Sequence, residues 1–209
     1  MIVAMQDEKT AASRWFDRRA GSYESGFTSR WRDPVQRGSL AALELTADDR
    51  VLDVGCGTGA ASREAAVQAK SVVGVDLSPE MIRQAAELAH DIENVEFKIA
   101  DSEQLPFDDG TFTAVICSNS FHHYPDPVRA TREMVRVLAS GGRLVLGDPC
   151  ADIRAVRIAD FFLRRFEPGH VRMYRSAELA SFLYEAGLSK VRVRKLSEGG
   201  MAIFLGFAQ

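Results

Sequence analysis

A glycine-rich loop and three acids carry the chemistry this sequence can do. Val51-Leu52-Asp53-Val54-Gly55-Cys56-Gly57-Thr58-Gly59 places three glycines within five residues, just after Asp53. Glycines reach φ > 0 and let a ligand lie against the backbone. Asp76 comes 17 residues after Gly59, in Val73-Gly74-Val75-Asp76-Leu77. A carboxylate there can accept from both hydroxyls of a ribose, or cap a helix before Pro79. Asp101, in Ile99-Ala100-Asp101-Ser102, can accept from an amino group on an aromatic ring while the Ser102 backbone meets a ring nitrogen. Leu77 and Met81 can flank such a ring or fill the core. His122 and His123, in Ser118-Asn119-Ser120-Phe121-His122-His123, can move a proton near neutral pH or shape their loop.

These residues need strand ends to stand on, and the apolar pattern supplies them. Arg50–Gly55 reads as a buried strand, and Ser71–Val75, Val95–Ile99 (alternating less cleanly), Phe112–Cys117 and Arg143–Gly147 as further strands. Ala60–Ala69, Ser78–His90 and Asp126–Ala139 read as helices between them. Ser78 caps ahead of Pro79, Gly141-Gly142 stops the last helix, and Leu105–Gly110 is a loop. This alternation predicts an α/β fold with a parallel sheet covered on both faces. In such sheets ligands bind at the carboxyl ends of strands, where the loop, Asp76 and Asp101 all fall. Before Leu45 the chain reads as two helices, Thr10–Ala20 and Pro34–Leu45, separated by breaks at Gly21, Gly26 and Pro34. After Cys150 it reads as helices Ile153–Phe166 and Ser176–Ala186, with Ser176 as cap. Strands Val191–Lys195 and Ala202–Phe207 then flank Ser197-Glu198-Gly199-Gly200 as a hairpin, so the sheet ends on an antiparallel strand.

The loop matches the loose dinucleotide pattern G-x-G-x-x-G/A, which alone says little. Asp53 beside the loop suits a pyrophosphate poorly, and the length leaves no second domain for a hydride acceptor, so an NAD-dependent oxidoreductase is disfavoured. No Gly-Lys-Ser/Thr follows, so the loop is not a P-loop. S-adenosylmethionine carries no phosphate; its ammonium and sulfonium suit a glycine loop beside a carboxylate.

In order and spacing these motifs resemble the class I S-adenosylmethionine-dependent methyltransferases, in the small-molecule subgroup that includes quinone-biosynthesis methyltransferases. The resemblance covers Val51 to Pro149. It implies a Rossmann-like, doubly wound seven-stranded sheet ordered 3-2-1-4-5-7-6, strand 7 antiparallel, with an N-terminal helical cap. It also implies one domain, with residues 1–45 as cap, 46–150 as cofactor-binding core, and 151–209 as acceptor-pocket helices and terminal hairpin. The cofactor is then S-adenosyl-L-methionine and the product S-adenosyl-L-homocysteine. Asp53, Gly55, Cys56, Gly57 and Gly59 would be cofactor-binding, with Gly55 and Gly57 contacting the methionine part and Ser118 meeting the ammonium through its carbonyl. Asp76 would take the ribose, and Leu77, Met81, Asp101 and Ser102 the adenine. Tyr23, in the segment Trp15–Tyr23, would cover the cofactor. Val171–Ser176 resembles the variable segment that shapes the acceptor pocket.

The expected reaction is an in-line displacement at the sulfonium methyl, in which the protein mainly orients the two reactants. His122 and His123 are the catalytic candidates, with Tyr124, His170 and Tyr174 as lesser acceptor-side ones. The adjacent histidines carry no ligand spacing, so no metal is expected. The alternative in another class is a non-catalytic S-adenosylmethionine-binding regulator.

The composition fits this reading. The chain has 209 residues, 46% hydrophobic and 26% charged, with net charge −3. Nothing pulls it toward nucleic acid, and Ser118-Asn119-Ser120-Phe121 is not the acidic-amide-Pro-Pro-aromatic tetrad of nucleic-acid methyltransferases. Residues 151–209 hold ten Lys/Arg against six Asp/Glu, which reads as solvated helix faces. Cys56, Cys117 and Cys150 fit no disulfide framework. No apolar run is long enough for a membrane span, and the acidic Asp7-Glu8 spoils a secretory signal, so the expected location is cytoplasmic. The expected partner is a small-molecule acceptor, with the chain as monomer or homodimer.

Overall fold

The computed structural model describes residues 2–24, 29–195 and 201–208. Seven strands form one sheet: β1 (Arg50–Val54), β2 (Ser71–Asp76), β3 (Val95–Ile99), β4 (Phe112–Ser118), β5 (Leu138–Pro149), β6 (Ser189–Lys195) and β7 (Met201–Phe207). Their order is β3-β2-β1-β4-β5-β7-β6. The pairs from β3 to β5 are parallel. β7 runs antiparallel to both β5 and β6, as the hairpin reading requires. The predicted turn Ser197–Gly200 lies outside the described residues.

The central strands are apolar on both sides because helices cover both. In β4, Ala114, Val115, Ile116 and Cys117 are all fully buried. One face packs with Ala130 and Met134 of α5 (Pro127–Arg136) and Leu179 and Leu183 of α7 (Ser176–Glu185). The other packs with Leu40 and Leu43 of α2 (Ser29–Leu43) and Ala61 and Ala65 of α3 (Ala60–Ala66). Edge strand β6 exposes Arg192, Arg194 and Lys195, charges that discourage pairing with another chain. No helix among the described residues is long and apolar enough to cross a membrane.

Several boundaries differ from the sequence reading. Gly141-Gly142 does not stop a helix: α5 ends at Arg136 and both glycines lie inside β5. Ser176 is the first residue of α7, after the cap residue Arg175; its N–H and hydroxyl donate to Asp152. The first helix, α1, runs from Ile2 to Asp17, well ahead of Thr10. Pro34 sits within α2 rather than at its start. The Ser78 cap is as expected: its side chain accepts from the Met81 N–H at the head of α4 (Pro79–Leu88).

Candidate functional site

Two adjoining cavities open at the carboxyl ends of the parallel strands, with empty volumes of about 730 and 800 Å³. They share Tyr23, Gly55, Gly57 and Asn119 as common wall. The first also meets Asp76, Leu77, Met81, Asp101 and Ser102; the second meets Asp53, Cys56 and Ser118. Eleven of the twelve residues expected at the cofactor therefore line one or other of these two adjoining cavities. Gly59 does not. It caps α3 at φ +78°, and a Cβ there would strike the Phe97 ring at 2.6 Å, so this glycine serves helix–sheet packing.

The loop is stitched to β2. Gly55 and Cys56 donate their N–H groups to the Val75 carbonyl at 2.8 and 3.0 Å. Asp76 accepts from the Gly57 N–H through Oδ2 (3.0 Å) and from the Ser78 N–H through Oδ1 (2.9 Å). Its carboxylate also meets the Leu77 N–H, so of about four acceptor positions at least one remains for a ligand. Asp53 is 2% exposed and accepts from the Ser62 hydroxyl at 2.6 Å. Among the described residues, no basic side chain forms an ion pair with Asp53 or Asp76. Burial pushes the Asp53 carboxyl up to about 6, only partly offset by Ser62, with Asp76 adding to the rise; burial raises Asp76 as well. Two uncompensated acids beside a glycine loop make a site that attracts a cation.

No local sequence pattern marks how the α1 cap is anchored. Lys9 bridges Asp101 (2.7 Å) and the buried Glu103. The Ser13 hydroxyl donates to the Leu77 carbonyl (3.3 Å), and the Ser78 hydroxyl donates to Asp17 (2.5 Å). Phe16 and Tyr23 of the cap meet edge to face, with ring centroids 6.3 Å apart. Lys9, Ser13 and Phe16 line the first cavity with Tyr23.

The structure separates the two catalytic candidates. His123 lines the first cavity, its Nδ1 2.6 Å from the Gly169 carbonyl. His122 turns away onto Asp148, its Nδ1 3.0 Å from Oδ1. Burial holds both imidazoles neutral, His122 down to about 3. Tyr124 lines the cavity and shares the Ser120 hydroxyl at 3.0 Å. Tyr174 is core, packed edge-on against Phe121 and Phe182. His170 is buried and reaches Asp160 (2.8 Å). Burial pushes the Cys117 and Cys150 thiols up to about 12, too high for nucleophiles at neutral pH.

Residues 52–146 match the methyltransferase domain family. The chain is 30% identical to a demethylmenaquinone methyltransferase of Clavibacter sepedonicus, over 98% of this chain and 89% of that protein. It is 35% identical to the uncharacterized methyltransferase YcgJ of Bacillus subtilis, over 64% of this chain and about half (54%) of that protein's length. A Thermotoga maritima structure, described as an S-adenosylmethionine-dependent methyltransferase and possible histamine N-methyltransferase, shares the fold. Its TM-score is 0.76 over 95% of this chain and 100% of that one, at 21% identity. The chain belongs to the S-adenosylmethionine-dependent methyltransferases. Its methyl donor is S-adenosyl-L-methionine, which leaves as S-adenosyl-L-homocysteine.

Asp53 gives the site a pH signature. Its raised folded-state value means the folded chain keeps a proton that the unfolded chain releases near pH 4. This group's contribution to stability is therefore fully present below about pH 4 and is lost as pH rises through about 6. A ligand ammonium placed against Asp53 would favour the ionised form, so its binding would expel the proton and weaken in acid. Titration calorimetry is expected to show S-adenosylhomocysteine binding about tenfold weaker at pH 5 than at pH 7.5. Asp53→Asn should flatten that dependence; an unchanged slope in the variant would move the effect to Asp76.

Proposed function

We propose that this protein transfers the methyl group of S-adenosylmethionine to an O, N or C atom of a flat, largely apolar small-molecule acceptor. The observation that carries the cofactor's placement is the pair of carboxylates without an ion-pair partner among the described residues, buried Asp53 and half-buried Asp76, against the glycine loop. Asp53 and the Ser118 carbonyl face the methionine ammonium, and Asp76 uses its remaining acceptor capacity on the ribose. Leu77 and Met81 flank the adenine, whose amino group meets Asp101 beside Lys9, with the Ser102 backbone at a ring nitrogen. Tyr23 and Phe16 close the space from above and keep out water. The bound cofactor supplies an activated methyl on a sulfonium. The chain's task is then to hold the acceptor atom in line with that methyl.

The acceptor chemistry is supported by the aromatic wall of Phe16, Tyr23, His123 and Tyr124, and by the quinone-directed name of the Clavibacter relative. Neither points to one methylated atom. Calorimetry with S-adenosylmethionine and S-adenosylhomocysteine tests the cofactor reading, and micromolar binding of both is the expected result. Binding of neither would overturn it. Formation of S-adenosylhomocysteine across a panel of quinols, catechols and aromatic amines tests the acceptor class. Turnover with none of them, in a protein that binds the cofactor, would favour the non-catalytic regulator.

Asp76→Ala is expected to weaken S-adenosylhomocysteine by about 2 kcal/mol, roughly 30-fold in Kd, the scale of lost charge-assisted hydrogen bonds. It also frees the Gly57 and Ser78 N–H groups from their acceptor. Unchanged affinity would remove Asp76 from the ribose site.

A further inference from the structure

The sequence reading found two adjacent histidines without ligand spacing; the fold brings them a third. His122 and His123 form the 3-10 turn after β4, and His170 arrives from the segment after α6 (Arg154–Phe166). One ring nitrogen from each lies within 4.8 Å of the others. Ring centroids are 4.0 Å apart for His122–His123 and 5.4 Å for His122–His170.

In each ring one nitrogen already has an oxygen partner. His122 Nδ1 meets Asp148 at 3.0 Å, His123 Nδ1 meets the Gly169 carbonyl at 2.6 Å, and His170 Nε2 meets Asp160 at 2.8 Å. A carbonyl or carboxylate acceptor places the proton on the nitrogen facing it, and the opposite nitrogen then carries a lone pair. Among the described residues those opposite nitrogens have no protein hydrogen-bond partner. Imidazoles oriented from behind by carboxylates and a carbonyl are the arrangement that fixes metal-ligating histidines.

We propose that His122, His123 and His170 bind one divalent first-row cation, zinc fitting best, at the wall of the first cavity. Three imidazoles without a carboxylate ligand suit zinc and its neighbours rather than magnesium or calcium, which take oxygen ligands. Zinc–nitrogen bonds of about 2.05 Å put tetrahedral donors roughly 3.4 Å apart. Closing from the present spacing moves each nitrogen by about 0.8 Å, within reach of small side-chain rotations. His123 also lines the cavity, so the cation would border the acceptor space, with a fourth position open to water or another oxygen ligand.

The site does not depend on the methyl-transfer reading, and its test is independent. The full chain is stripped with a chelator, desalted and titrated calorimetrically with zinc chloride; cobalt(II) is then followed by its visible absorption. The expected result is one zinc per chain with Kd below about 1 µM, and a tetrahedral cobalt spectrum. His123→Ala and His170→Ala should each weaken zinc at least about 100-fold, and Asp160→Asn about tenfold. Far-UV circular dichroism checks the fold of each variant. Should His170→Ala unfold, the partly exposed His123→Ala decides alone. Absence of saturable zinc binding, or binding that a folded His123→Ala leaves unchanged, would overturn the proposal. S-adenosylhomocysteine binding measured with chelator present keeps the cofactor reading separate.

Discussion

His123→Ala is expected to lower turnover about 100-fold, the lower end of what general-base removal costs, while S-adenosylhomocysteine affinity changes by less than about twofold. The expectation rests on where the ring is held. The Gly169 carbonyl fixes Nδ1, and the Phe16 ring meets the imidazole edge to face with centroids 4.9 Å apart. In the metal-free chain that leaves Nε2 as the lone-pair nitrogen of a residue that lines the cavity; a bound cation would occupy the same lone pair and exclude the base role. Burial, with His122 close by, keeps the ring neutral, so its lone pair is open to an acceptor hydroxyl or amine, while the same burial lowers its proton affinity. His122 differs: its Nδ1 is committed to Asp148, which is fully buried at the end of β5. His122→Ala strands that acid, so its first effect should be on stability, with a lower Tm. The assay is S-adenosylhomocysteine release with any acceptor that supports turnover, beside calorimetry for the cofactor. Equal turnover in wild type and His123→Ala would remove the ring from catalysis. Chelator in both assays separates the base role from metal binding.

How far the sequence could be read depended on the range of the interactions involved. Asp53, Gly55 and Gly57 share one strand–loop unit, Asp76 ends β2, and Asp101 follows the end of β3 by two residues. Local pattern plus the rule that ligands sit at carboxyl ends was therefore enough to group them. The hairpin was legible for the same reason, through alternation on both sides of a turn. Lys9 was not: its partners Asp101 and Glu103 lie 92 and 94 positions away, and a lysine on a helix face otherwise reads as solvated. His170 was noted only as a lesser candidate, because nothing local to Pro168-Gly169-His170 tells that its ring will stand 5.4 Å from that of His122. Gly141-Gly142 misled because a glycine pair stops a helix and tolerates a bent strand equally well; here a register shift between β4 and β5 absorbs it. Gly59 misled in the other direction: it belongs to the motif, yet what excludes a side chain there is Phe97 and Ala85 rather than a ligand.

Gly55 is where packing and the proposed cofactor site demand the same residue. It sits at φ +72°, and a Cβ would collide with the Ser120 side chain and come within 2.7 Å of the Tyr124 hydroxyl. Neither neighbour can step aside easily. The Ser120 hydroxyl is bonded to the Val54 carbonyl (3.1 Å) and to Tyr124 (3.0 Å), and both residues are buried. Gly55→Ala therefore combines left-handed strain with overpacking, about 3 kcal/mol in all, and should lower Tm by roughly 10 °C. Gly55 borders both cavities, so relieving the clash must shift the loop or the Ser120–Tyr124 wall into the cofactor space. The expected loss of S-adenosylhomocysteine affinity is at least about 100-fold, a larger effect than removing a single side-chain acceptor. Gly21→Ala is the control: no atom lies within 4 Å of its added Cβ, and both Tm and affinity should stay near wild type. Calorimetry and thermal melts on the two variants read the comparison directly. A folded Gly55→Ala protein that bound the cofactor at wild-type affinity would show that the loop does not hold it.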